Sequence, residues 1–156
     1  MRSADLWPRI KAGIVALMQA DPTLSLIAGG IKSQLLADTS NIAFPHVVAT
    51  YDGLQERFIG GDSETIMTEY PVRCIIRDNN DPTKVHDKAD LYQSWRKALT
   101  DLFWQRTRTD GIMIQGAPEV YKVTLNLKPA IDPRAGWYPT MVSALDVLCE
   151  AAEARY

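Results

Sequence analysis

The sequence has few of the side chains on which most catalytic and metal sites depend. Among its 156 residues there are only two histidines and two cysteines. Cys74 and Cys149 are far apart and neither belongs to a Cys-x-x-Cys pair, so their spacing predicts neither a zinc site nor a disulfide framework. We expect both to be reduced, buried thiols that behave as small apolar residues.

Long apolar runs and an excess of one charge are also lacking. No segment approaches the roughly 20 apolar residues of a membrane span, and the N-terminus has no apolar core of a signal peptide. These absences predict a cytosolic product with no membrane partner. Seventeen lysines and arginines against nineteen acidic residues give a formal net charge of −2, which does not favour a protein that grips a phosphate backbone.

The residues that are present predict one globular domain. The chain is 46% hydrophobic and 23% charged, which is ordinary for a folded protein of this length. It shows no repeat, low-complexity segment or dividing linker. We therefore assign residues 1–156 to a single domain, with a short exposed C-terminal tail over about 151–156.

Two helices are predicted from the spacing of apolar residues. The first begins after Asp5 as its N-cap and ends at Asp21, and Gly13 on its apolar face indicates a close approach to the element beneath. The second begins near Asp81 and runs for about 23 residues. Its apolar stripe consists of Val85, Ala89, Tyr92, Trp95, Leu99, Leu102 and Phe103.

Four to five strands are predicted from alternating patterns and turn residues, at 47–51, 56–59, 65–77, 119–128 and the first two-thirds of 140–150. Residues 140–150 also fit helical spacing. Pro71 cannot donate to a β-ladder, which predicts an edge or a bulge there.

His46 follows Pro45 and is interpreted as the residue that enters the first strand. The order predicts an α+β two-layer domain, an antiparallel or mixed sheet covered by two helices.

Candidate constellations for chemistry are weak. His86 and Asp90 lie four apart on the second helix, but nothing at a supporting spacing supplies further metal ligands. Gly60-Gly61 is followed by neither a Gly-Lys-Ser sequence nor a helix start, so a hairpin turn explains it better than a phosphate loop. We therefore predict no catalytic, cofactor-binding or metal site, and no enzyme.

Exposed aromatic residues are the stronger signal. Trp104 points roughly 100° or more away from the buried stripe of the second helix. Trp137 and Tyr138 stand in a loop-like segment. Each is either covered by another segment or presented to a partner, because Trp and Tyr are enriched in protein interfaces.

Four segments also stand in a distinctive order, which matters more than any one of them. They are ALMQADPTLSLIAGGI at 16–31, AFPHVVAT at 43–50, EYPVRCIIRD at 69–78 and KVHDKADLYQSWRKALTDLF at 84–103, and a strand pair then closes the chain. Over most of 8–150 this arrangement resembles the tail terminator, or tail completion, proteins of long-tailed bacteriophages. Pro71 and the segment at 137–139 depart from the family's pattern.

The resemblance implies a structural role in the virion, assembled in the host cytoplasm. Members of that family form a ring, commonly a hexamer, that caps the tail tube, ends its polymerisation and presents the surface for head joining. The implied partners are further copies of the chain, the tail tube protein and a neck or head-completion protein. DNA would pass through the lumen without specific binding, and no cofactor is implied.

Two alternatives stay open from the sequence. One is a neck or head-completion connector, and the other is a small α+β enzyme or ligand-binding domain with a scattered site. For the ring we expect the hairpin at 54–64 to face a neighbour or the lumen. Its charged residues, with the aromatic residues above, are the interface candidates: Glu56, Arg57, Asp62, Glu64, Trp104, Trp137 and Tyr138.

Overall fold

The computed structural model describes residues 4–33, 43–79, 85–104, 113–128 and 140–155. Its elements in chain order are helix α1 (Leu6–Ala20), a 3₁₀ turn (Leu24–Leu26), strands β1 (Ile31–Ser33), β2 (His46–Thr50), β3 (Arg57–Gly61) and β4 (Thr65–Asn79), helix α2 (Val85–Phe103), and strands β5 (Val120–Leu127) and β6 (Thr140–Ala154). Both helices contribute to one apolar core on a single face of the sheet. The predicted α+β two-layer fold is confirmed.

The six described strands form one mixed sheet in the order β1-β2-β4-β6-β5, and β3 pairs with β4 beside β2. The pairing of β1 with β2 is parallel and the others are antiparallel. The sheet is larger than the four to five predicted strands because β1 lies in a segment without alternation. A strand of three residues is too short to show a period of two.

The centre of the sheet is the long pair β4 and β6, which runs from Thr65 opposite Ala154 to Asn79 opposite Thr140. Residues 140–150 are therefore strand over their whole length, which confirms the strand predicted for their first two-thirds and extends it. The exposed tail expected from residue 151 is wrong, because β6 continues to Ala154 and both Ala151 and Glu153 are buried. Alanine and glutamate are weak strand formers, so pairing with β4 overrides local preference here.

Pro71 lies in this central strand, so neither the predicted edge position nor the bulge is correct. The register against β6 passes through Pro71 opposite Leu148 without a shift. On the other side of β4, pairing with β3 ends at Glu69 and pairing with β2 begins at Arg73. Pro71 thus occupies a gap between two partner strands, where its missing N–H interrupts no ladder, and its carbonyl accepts a 2.9 Å hydrogen bond from Trp7 Nε1.

Helix α1 packs closely against the loop before β5. A Cβ atom added to Gly13 would lie 2.3 Å from Ile114 Cγ2 and 2.7 Å from Gln115 O, so the predicted close approach is confirmed. Asp5 occupies the N-cap position but makes no side-chain cap hydrogen bond, and its carboxylate pairs with Arg9 at 3.3 Å instead.

Helix α2 has 19 described residues, and its predicted start at Asp81 lies outside the described part of the chain. Within the described stripe, Tyr92, Trp95, Leu99 and Phe103 are buried. Arg96 fastens the helix to the sheet by donating to Ser143 Oγ at 3.1 Å, to Ala144 O at 3.2 Å and to the carbonyl of Lys128.

Cys74 and Cys149 are free and buried in the core, as predicted. Burial raises the pKa of the Cys149 thiol to about 12 and raises that of Cys74 as well. Burial therefore disfavours the thiolate form of both side chains.

Candidate assembly surfaces

The hairpin that joins β3 to β4 has a tip built by Asp62. Its Oδ1 accepts hydrogen bonds from the backbone N–H groups of Glu64 and Thr65, both at 2.8 Å. These bonds lower the pKa of the Asp62 carboxyl. The Asp62 N–H also donates to Thr65 O at 2.9 Å. Asp62, which we predicted as an interface residue, therefore stabilises the turn to which it belongs.

Two further features hold this tip in place. Gly61 has a φ of 147°, and a Cβ atom there would lie 2.3 Å from Thr65 O, so only glycine fits without strain. Arg155, which follows β6, donates its backbone N–H to Glu64 O at 2.8 Å and its Nε–H to Asp62 O. These contacts therefore fix the conformation of the hairpin tip.

The sides of the hairpin are open to solvent. Glu56, Arg57 and Glu64 are exposed, and Arg57 pairs with Glu69 on β4 at 3.1 Å. Phe58 is 62% exposed. Our sequence reasoning missed Phe58, although an aromatic residue in a short, charged, glycine-bounded strand is a signal for an exposed apolar contact.

The opposite border of the sheet, β5, is also partly open. Leu127 is 49% exposed, and Lys122 and Lys128 keep substantial access to solvent. The two lysines make only long ion pairs, to Glu150 at 3.9 Å and Asp146 at 3.8 Å. Sequence reasoning did not single out Leu127, because an alternating pattern indicates which face of a strand a residue occupies and not how far that face is covered.

The face of the sheet away from the helices carries cross-strand charges. Arg73 on β4 donates to both carboxylate oxygens of Asp146 on β6, at 2.7 and 3.2 Å. Asp146 is buried, and its carboxylate raises the pKa of the Arg73 guanidinium. This face therefore combines a cross-strand ion pair with buried apolar side chains, since Val48 and Ile75, which pair across β2 and β4, are also buried there.

The aromatic candidates lie elsewhere. Trp104 follows the last residue of α2 and is 53% exposed. The structure does not place it beside the hairpin, because β4 and β6 stand between β3 and the β5 border against which α2 packs. Trp137 and Tyr138 lie outside the described residues.

His46 is the first residue of β2, which confirms its interpretation as the entry residue. Its ring stacks on Phe44 with centroids 5.1 Å apart, and Nδ1 lies 3.2 Å from Ala43 O. Nε2 is buried without a hydrogen-bond partner among the residues that the structure covers. Burial lowers the pKa of this imidazole, so the neutral ring is favoured.

The described ranges hold no group of three or more histidine, cysteine, aspartate or glutamate side chains that could bind a metal ion. In those same ranges, no helix has the length and apolar character needed to cross a membrane. The chain matches no protein-family model and no curated protein.

Proposed function

We propose that this chain is a tail terminator subunit of a long-tailed bacteriophage. In this role it forms a ring, most simply a hexamer, that caps the tail tube, ends its polymerisation and offers the surface for head joining. The observation that carries the proposal is the order and spacing of the four resembling segments along 16–103. The α+β two-layer fold, which the order of the elements predicted, provides the single domain from which such a ring would be built.

The surface features support a role in assembly. A closed ring needs two different surfaces on each subunit, because head-to-tail contacts join unlike patches. The chain has a shaped, exposed hairpin on one side of its sheet and a partly open β5 border on the other. Apolar side chains are exposed on both, and such residues anchor protein interfaces.

The charge balance supports a ring whose lumen lets DNA pass without binding it. A net charge of −2 provides no general attraction for DNA. We expect the purified chain to leave the mobility of a duplex DNA fragment unchanged in a gel shift at physiological salt. A retarded band under those conditions would count against free passage of DNA.

The proposal is tested by the mass and shape of the purified chain. Light scattering after size-exclusion chromatography, over a range of concentrations, should give a mass several times the 17.4 kDa of one chain. Negative-stain images of that fraction should show rings with a central opening. A chain that stays monomeric at all concentrations would overturn the proposed function.

A further inference from the structure

Two exposed apolar side chains, Phe58 and Leu127, stand at opposite borders of the sheet. Phe58 lies on β3, which pairs with β4, and Leu127 lies on β5, which pairs with β6. Beyond either strand, the described ranges contain no further strand of this sheet. The hairpin border (β3) and the β5 border therefore both present strand edges.

The pairing registers place these two side chains on the same face. Phe58 is opposite Thr68 on β4, while Leu127 is opposite Leu145, which is itself opposite Cys74 on β4. Directly opposed residues share a face, and so do residues an even number apart on one strand. Because Thr68 and Cys74 are an even number of positions apart, Phe58 and Leu127 both lie on the helix-bearing face.

The two border segments also differ in the sign of their formal charge. Residues 54–64 contain three carboxylates and one arginine, which gives the hairpin segment a formal charge of −2. Residues 120–128 contain two lysines and no acidic residue, which gives the β5 segment +2. Complementary charges on unlike surfaces favour one register and one orientation of a contact.

We propose that the hairpin border of one copy docks against the β5 border of a second copy, with Phe58 beside Leu127. If the two sheets continue each other, their helix-bearing faces align, and the two exposed apolar residues meet on that common face. The contact is head-to-tail, because it joins unlike borders, and it leaves one free border on each copy for the next. It rests on the proposed ring, for which it supplies the subunit interface.

Side chains, rather than a long backbone ladder, carry this contact. The register of β3 shifts between Phe58 and Gly60, and such a bulge interrupts regular pairing. The hydrogen bonds of Asp62 and Arg155 already fix the hairpin tip. Docking therefore orders little additional chain, which favours affinity.

Paired cysteines test this geometry directly. The double variant Phe58→Cys/Leu127→Cys, treated with a mild oxidant, should give a ladder of covalent oligomers on a non-reducing gel. Within one chain these positions are three strand spacings apart across the sheet, roughly 14 Å, and are further offset along the strands by the six positions from Thr68 to Cys74, a distance that no disulfide spans. The native thiols of Cys74 and Cys149 are buried and serve as the unreactive background.

The single variants are the matched controls. Phe58→Cys alone and Leu127→Cys alone should stay uncrosslinked, and a mixture of the two should give dimers that do not extend. A crosslink in Phe58→Cys alone would indicate a two-fold contact and overturn the inference. Absence of a ladder from the double variant, while the unmodified chain assembles, would overturn the inference and leave the proposed ring standing.

Charge placed on either anchor gives an independent readout. Phe58→Asp and Leu127→Asp should each weaken self-association by roughly tenfold or more, because interface anchors are costly to disrupt. Leu91→Asp, at an exposed position on α2, is the control and should assemble normally. Unchanged association of Phe58→Asp, with an unchanged melting curve, would overturn the inference.

Discussion

The two faces of β4 differ although they belong to one strand. Tyr70, Val72 and Cys74 alternate along one face and are buried under the helices, whereas Glu69 and Arg73 on the other face pair with charges on neighbouring strands. The first face stabilises the fold by removing apolar area from water. The second contributes ion pairs that are partly exposed, and these stabilise a fold much less.

The difference indicates where assembly is possible. Among the described strands, the large apolar side chains that are exposed on the helix-bearing face are Phe58 and Leu127, and both lie at its borders. On the charged face, Arg73 and Asp146 already have each other as partners. An interface at the borders therefore adds apolar burial without breaking ion pairs that the fold uses.

The largest expected effect is a truncation on the helix-bearing face. Leu145→Ala, at a fully buried position, should lower the free energy of unfolding by about 2–5 kcal/mol through lost burial and a residual cavity. Leu148→Ala on the opposite face of the same strand should cost roughly 1 kcal/mol or less, since that side chain is only partly buried. Urea denaturation measures the free energy of unfolding of both variants. Equal losses would contradict the predicted difference between the two faces.

The next effect concerns the close contact of α1. Gly13→Ala should destabilise by about 1–3 kcal/mol, because the new methyl group meets Ile114 and the backbone of Gln115. Alanine normally stabilises a helix relative to glycine, so a loss of stability in Gly13→Ala would indicate the close contact of α1. Ala16→Gly on the exposed side of α1 is the matched control and should cost about 0.5–1 kcal/mol. A stabilised Gly13→Ala variant in thermal denaturation would refute the contact.

A smaller effect is expected on the charged face. Asp146→Asn should cost on the order of 1–2 kcal/mol, because it leaves Arg73 with a weaker acceptor in a partly buried site. Glu150→Gln, which loses only a 3.9 Å pair with the exposed Lys122, should change stability by about 0.5 kcal/mol or less. Denaturant midpoints at low and high salt compare the two. A larger loss from Glu150→Gln would reverse the ranking.

The smallest effect is a pH dependence from His46, which lies opposite Arg77 on the charged face. Burial, and to a lesser degree Arg77, lowers its pKa, whereas Ala43 O and Asp78 oppose the shift. The unfolded chain then binds a proton more readily, so stability falls as the pH drops below the ordinary value of 6.5. One such group contributes a slope of at most about 1.4 kcal/mol per pH unit.

Melting curves between pH 7.5 and 5, values chosen to bracket roughly the usual histidine range, should show this slope. His46→Gln should flatten it, whereas His86→Gln should leave it in place. A slope that survives His46→Gln would assign the titration to another group.

Much of the fold followed from local patterns. The stripe of α2 and the alternation of β5 are amphipathic signals that solvent imposes on any chain, so both elements were predicted. Gly13 on an apolar face predicted a close approach. The 3₁₀ turn at Leu24–Leu26 also has a local basis, since Asp21 accepts hydrogen bonds from the backbone N–H groups of Thr23 and Leu24.

The errors share one physical cause, which is that pairing partners lie far away in sequence. Pro71 looked like an edge or bulge signal, yet it sits in a central strand because β3 ends before it and β2 begins after it. Residues 151–154 looked like a tail, yet pairing with β4 makes them strand. Neither fact can be predicted from the few residues that flank Pro71 or residues 151–154.

The same division holds for the candidate surfaces. The sequence by itself determined the fold class, the charged hairpin and the lack of a catalytic motif, because these depend on residue type and short-range spacing. Only the tertiary structure decided that Asp62 serves its own turn and that Phe58 and Leu127 stand exposed on one face at opposite borders. Exposure and shared face depend on which strands become neighbours and how far the helices cover them, and both are set by long-range packing.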